Sequence, residues 1–142
     1  MGLEELKNRL SAPLAAHEAD FNMLPLKAEK KLEGGEIISC GELDIEVLHT
    51  PGHTPGSLCF KIGHILISGD TLFPGGPGKT DSPESFTTII KSITEKIMPL
   101  PDDTLLLPGH GEPSNLGAER ESIKLFLKQG YPRDLYGEVT WS

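Results

Sequence analysis

Three side chains of metal-ligand type stand in equivalent settings along the chain. His53 lies in Thr50-Pro51-Gly52-His53-Thr54-Pro55-Gly56, Asp70 in Gly69-Asp70-Thr71, and His110 in Pro108-Gly109-His110-Gly111. Each is flanked by glycine and each follows a stretch of strand character. Glycine lets a backbone turn tightly enough to aim such a side chain at a shared point. Two imidazoles and a carboxylate suit Zn²⁺, and equally Fe²⁺ or Mn²⁺.

The remaining polar candidates carry less. His49, four residues before His53, reads as a residue that packs or orients the loop rather than as a ligand. His17, in Ala16-His17-Glu18-Ala19-Asp20, reads as a helix start, with Glu18 and Asp20 as a favourable acidic first turn. His64 falls in a hairpin turn, in water. Gly76-Pro77-Gly78-Lys79-Thr80 resembles the end of a phosphate-binding loop. Such a loop needs glycine five residues before the Gly-Lys pair, where Phe73 stands, and Pro74 and Pro77 remove backbone donors that would cradle phosphate. Ser57, Ser68 and Ser114 lack the Gly-x-Ser-x-Gly context of a serine hydrolase.

The elements that must position these residues alternate between strand and helix. Gly2–Leu10 has Leu3, Leu6 and Leu10 on one side and predicts a short amphipathic helix. Ala15–Leu24 predicts a second, closed before Pro25. Glu33-Gly34-Gly35 is a turn. Glu42–Leu48 alternates, with Leu43, Ile45 and Val47 on one face. Ser57–Ile62 and Ile65–Ser68 predict two strands joined at Gly63-His64, the second a continuous apolar run. Phe73–Asp81 predicts irregular loop. Ser82-Pro83 is an N-cap followed by proline in the first helical turn, and Phe86, Ile89, Ile90, Ile93 and Ile97 follow at helical spacing. Thr104–Leu107 predicts a short buried strand. Leu116–Lys128 predicts a last helix with Ile123, Phe126 and Leu127 inward, and from Gly130 the tail is irregular. No linker or internal repeat divides residues 1–142, so one α/β domain is expected.

Composition narrows the function classes. The 142 residues carry 21 acidic and 13 basic side chains, a formal charge of −8. That surface repels phosphate backbones, so nucleic acid and anionic membranes are not expected partners. No apolar run approaches the roughly 18 residues that span a bilayer. The start Met1-Gly2-Leu3-Glu4-Glu5-Leu6 is acidic where a signal peptide is basic, and has Leu6 where a myristoylation motif has Ser or Thr. Cys40 and Cys59 are too few for a disulfide framework and read as reduced thiols of a cytoplasmic protein, with one bridge between them as the alternative.

Taken in order, His49-Thr50-Pro51-Gly52-His53-Thr54-Pro55-Gly56-Ser57, Gly69-Asp70-Thr71-Leu72-Phe73 and Pro108-Gly109-His110-Gly111 resemble the later motifs of metallo-β-lactamase-fold hydrolases, in particular the glyoxalase-II-like branch. The resemblance runs from about Leu14 to Leu127. It implies that His53 binds a first metal, that Asp70 bridges two and is the catalytic carboxylate, and that His110 binds the second. It implies two zinc ions, with iron or manganese as alternatives, and a bridging water or hydroxide that attacks the carbonyl of a small thioester, ester or lactone. It also implies that Phe73–Asp81 lines the substrate mouth, where Lys79 meets an anionic group. The family's earlier His-x-His-x-Asp-His motif is absent from this sequence, whose other histidines are the scattered His17, His49 and His64. The expected fold is therefore the C-terminal half of the αββα sandwich, a single partial domain lacking its N-terminal side. Two expectations follow from that gap. One is a chain that folds or self-associates without turnover. The other is a homodimer closing over a sheet face left uncovered, with Leu43, Ile45, Val47, Ile65, Ile67 and Leu106 in the contact.

Overall fold

A computed structural model describes residues 2–142. In chain order the elements are α1 (Leu3–Leu10), β1 (Ala15–His17), a 3₁₀ turn (Glu18–Met23), β2 (Lys30–Leu32), β3 (Ile37–Cys40), β4 (Leu43–His49), β5 (Leu58–Ile62), β6 (Ile65–Gly69), β7 (Leu72–Phe73), β8 (Gly76–Pro77), α2 (Pro83–Ser92), a π-helical turn (Ile93–Ile97), β9 (Leu105–Pro108), β10 (Ser114–Asn115) and α3 (Leu116–Gln129). This is the mixed α/β architecture expected from the sequence.

Six strands form one sheet in the order β10-β9-β6-β5-β4-β3. From β3 to β6 neighbours are antiparallel, β6 and β9 are parallel across the helical crossover, and β10 is antiparallel to β9. It follows that β4, β6 and β9 all point the same way, and the loops leaving their C-terminal ends share one edge of the sheet. Those loops carry His53, Asp70 and His110.

The clearest sequence signal gives the clearest element. Ser82 caps α2 by accepting from Ser85 N at 3.1 Å, with Pro83 in the first turn. Phe86, Ile89, Ile90, Ile93 and Ile97 are all buried. The helix runs on into the π turn, closed by Met98 N donating to Ile93 O at 2.8 Å, and Pro99 then stops it. Arg120 of α3 donates to Met98 O and Leu100 O at 2.5 and 2.6 Å, satisfying carbonyls that the helix end leaves free. With Leu66, Cys59 and Leu106 from one face of the sheet, and Leu116 and Ile123 from α3, these residues form the core.

Two expectations need correction, and two further features were not foreseen. Ala15–Leu24 is not one helix: Ala15–His17 pairs in parallel with β2, and only Glu18–Met23 is helical. The pairing uses the backbone groups of Ala15–His17, and the His17 ring caps what remains, its Nδ1 accepting from Ala19 N at 3.1 Å. Too few residues are left before Pro25 to nucleate an α-helix. Phe73–Asp81 is not wholly irregular, because Pro74-Gly75 turns β7 back on β8. α1 forms, yet it buries none of its residues, so its leucine stripe faces no core. The edge strand β3 is an addition, folded on β4 through Gly41-Glu42.

The apolar residues expected together on one sheet face divide between two. Leu66 pairs with Leu106, and both are fully buried against the helices. Ile67 pairs with Leu107 and with Phe60, on the opposite face. One residue of register reverses every side chain, so Leu106 belongs to the helix-facing core, and Leu105 and Leu107 take its place on the far face.

Both cysteines are free thiols, Cys40 exposed and Cys59 buried. Burial pushes the Cys59 thiol above its ordinary range, outweighing hydrogen bonds from Thr50 and Thr71. A thiol reagent is therefore expected to modify Cys40 alone in the native protein and both cysteines in denaturant; mass spectrometry after brief labelling decides this. Among the described residues no helix is long and apolar enough to cross a membrane.

Candidate metal centre

The three ligand-type side chains meet at one sheet edge. His53 Nε2 lies 3.5 Å from Asp70 Oδ2, and His110 Nε2 lies 3.8 Å from Asp70 Oδ1. Asp70 thus stands between two imidazoles and turns one carboxylate oxygen to each.

The backbone keeps these loops in register. Gly109 N donates to Gly69 O at 2.8 Å, tying the His110 loop to the Asp70 loop. Below them Thr50 Oγ1 lies 3.1 Å from Thr71 Oγ1 and 3.3 Å from Cys59 Sγ, a buried polar contact that joins the loops after β4 and β6. Gly109 lets the carboxylate come close: a Cβ at this position would overlap Asp70 Oδ1. Gly109→Ala is therefore expected to displace the carboxylate. It should weaken zinc binding by about 10- to 100-fold, the usual cost of disturbing what orients a ligand. Zinc titration followed through the histidine ring signals measures this, and an unchanged affinity would refute it.

The ring of His53 is held from behind. Its Nδ1 is 2.7 Å from Lys79 O. A carbonyl only accepts, so Nδ1 carries the hydrogen and Nε2 presents a lone pair. That lone pair faces a carboxylate oxygen, two acceptors at a separation too long for a hydrogen bond. A cation between them satisfies both. Two ligands bound at about 2.0–2.2 Å to a tetrahedral ion stand roughly 3.3–3.6 Å apart, which matches the 3.5 Å separation at His53 and falls a little short of the 3.8 Å at His110. Among the described residues no three His, Cys, Asp or Glu side chains close on a single point. The donors fit two ligand pairs that share Asp70, rather than one closed triad.

A cleft of about 310 Å³ opens over the centre, bounded by His53, Asp70, Phe73, Lys79, His110 and the tail at 138–140. The His110 side chain is 77% exposed and rests on Phe73, ring centroids 4.6 Å apart. Lys79 is exposed at the rim. The tail is fixed by Gly137 N donating to Thr80 O at 3.1 Å, by Trp141 N donating to Gly75 O at 2.8 Å, and by the buried Trp141 ring. Glu119, itself buried, accepts from Gly75 N at 2.9 Å and so steadies the hairpin on which the tail lies.

Residues 1–110 match the sequence profile of the Metallo-beta-lactamase superfamily. The chain belongs to that superfamily. A hydroxyacylglutathione hydrolase of Haemophilus influenzae, GloC, is 44% identical over 92 residues, covering 62% of this chain and 43% of that protein. The crystal structure of the BLEG-1 B3 metallo-beta-lactamase superposes with a TM-score of 0.76 at 26% identity, over 84% of this chain and 67% of that one. TTHA1623, solved in a di-iron-bound form, superposes with a TM-score of 0.69 at 27% identity, over 83% of this chain and 67% of that one. The chain thus spans less than half the length of the curated relative and about two thirds of each solved structure.

Of the other histidines, His64 is exposed in its turn, as expected. His49 stacks on His17, centroids 4.1 Å apart, and its Nε2 donates to Pro55 O at 3.0 Å. It packs the His53 loop. Asp20 was not legible as part of this centre. It is not merely a first-turn acid, because both its oxygens reach that same loop. The tail was equally hidden, since nothing in its composition ties it to a pocket wall.

Proposed function

We propose that these residues supply three ligands to a metal-dependent hydrolase acting on thioesters of the S-acylglutathione kind, or on related esters or lactones. The observation that carries this reading is the Asp70 carboxylate divided between two imidazole nitrogens, 3.5 and 3.8 Å away. The hydroxyacylglutathione hydrolase relative supports the thioester as substrate. His53 and Asp70 would hold one ion, and Asp70 and His110 the other. Zinc is the metal proposed, with iron or manganese suited to the same donors. A metal pair bound there would polarise the substrate carbonyl and activate a water. The protein's own share is placement. Lys79 O fixes the His53 ring, Phe73 supports His110, Lys79 Nζ meets an anionic group of the substrate, and the tail at 138–140 closes one wall. Two free thiols support a cytoplasmic location.

The test joins this chain to a preceding segment that carries the family's His-x-His-x-Asp-His motif. Metal-dependent hydrolysis of an S-acylglutathione is expected in the joined protein. Asp70→Ala should lower kcat by at least about 10³-fold, comparable to removing a principal transition-state contact. A folded joined protein that binds metal but leaves thioesters, esters and lactones intact would overturn the reading.

A further inference from the structure

We propose that Asp20 is a positioning residue for His53, holding the ligand loop from a segment 33 residues upstream; the inference rests on His53 being a metal ligand. The loop from Thr50 to Ser57 is closed at its base by Thr50 N donating to Ser57 O at 2.9 Å. Its outer half, Thr54–Gly56, lies beyond the sheet. There Asp20 Oδ2 accepts from Thr54 Oγ1 at 2.6 Å and Asp20 Oδ1 accepts from Gly56 N at 2.7 Å.

The hydrogen bonds around this clamp have one consistent direction. A carboxylate accepts only, so the Thr54 hydroxyl must donate to it. Ser57 Oγ, 2.8 Å from Thr54 Oγ1, must then donate to Thr54. Ser57 Oγ in turn accepts from Thr54 N at 3.0 Å. The Thr54 and Ser57 hydroxyls that follow His53 are thereby committed, and Asp20 sets the order. Gly56 allows the carboxylate this close, since a Cβ there would sit 2.5 Å from Asp20 Cγ. A second contact docks the same segment on the same loop. His17, which caps the turn carrying Asp20, stacks on His49, and His49 donates to Pro55 O. Without Asp20, Thr54–Gly56 loses two charge-assisted bonds and the His53 ring gains freedom about its remaining tie to Lys79 O.

The experiment follows the histidine ring signals by NMR in wild type, Asp20→Ala, Thr54→Val and Thr54→Ser, with zinc alone as the probe. In Asp20→Ala the zinc affinity read at His53 is expected to fall about tenfold, the lower end of the cost of losing an outer support, while the His110 ring signals of the metal-free protein stay in place. Thr54→Val should behave like Asp20→Ala, and Thr54→Ser, which keeps the hydroxyl, should behave like wild type. A second reading needs no metal: the His53 Nδ1 hydrogen held by Lys79 O should exchange with water faster in Asp20→Ala. The proposal is overturned if both the exchange and the zinc response of His53 match wild type, or if the metal-free His53 and His110 signals move alike together with those of the core, which would mark a merely structural role. If zinc does not perturb wild-type His53 at all, the metal reading fails, and the exchange rate still decides the role of Asp20.

Discussion

Supplied with zinc and an S-acylglutathione, the 142 residues alone are expected to turn substrate over at least about 10⁴-fold more slowly than when joined to the histidine-motif segment, because groups that act as a unit lose nearly all their effect when part of the set is missing. Each of the two ligand pairs at Asp70 offers an ion one imidazole nitrogen and one carboxylate oxygen. A catalytic zinc site normally has three protein ligands and a water. Neither pair reaches that number, so zinc should be held weakly and elemental analysis after desalting should find well under one ion per chain. Two tightly held ions, or fast hydrolysis by the chain alone that disappears in Asp70→Ala, would show the pairs to be sufficient. The opposite extreme, a folded chain that never catalyses, predicts no hydrolysis even when the missing ligands are supplied.

Self-association is the second large effect expected. The far face of the sheet presents Phe60, Ile62, Ile65, Ile67, Leu105 and Leu107, which the strand pairings place side by side. Five are half-buried and Ile67 is 39% exposed. We propose that a second copy covers this face across a two-fold axis, the usual closure of a homomeric contact. At about 25 cal/mol per Å², covering several hundred Å² of apolar surface favours association by several kcal/mol before the entropic cost is subtracted. Two copies of charge −8 repel each other, so added salt should strengthen the dimer. Light scattering at a protein concentration of tens of micromolar is expected to give twice the monomer mass, and Ile67→Glu to restore the monomer. A wild-type monomer under those conditions would refute the proposal.

What was legible in the sequence follows physical lines. The cap at Ser82 and the isoleucine spacing behind it are local signals, and α2 appears where they put it. The ligand loops were legible because glycine, histidine and aspartate stand directly after buried runs, and strand direction then carries all three loops to one edge. Leu106 was misplaced because period-two alternation says which residues share a face, and not which face meets the helices. Ala15–His17 was misread because parallel pairing with Lys30–Leu32 is a contact between distant segments, invisible to any local window. The same is true of Asp20, whose acidic neighbourhood suits a helix start equally well until Thr54 and Gly56 are seen beside it.

Trp141 is the chain's only tryptophan. It is 4% exposed and edge-on to Phe126 at 5.2 Å, and among the described residues its indole nitrogen has no hydrogen-bond partner. An indole so enclosed emits to the blue of one in water. Because the ring terminates the segment that walls the cleft, its fluorescence is a built-in gauge of whether that wall is seated. A red shift below the global melting transition would mark release of the tail from the site, separately from loss of the fold.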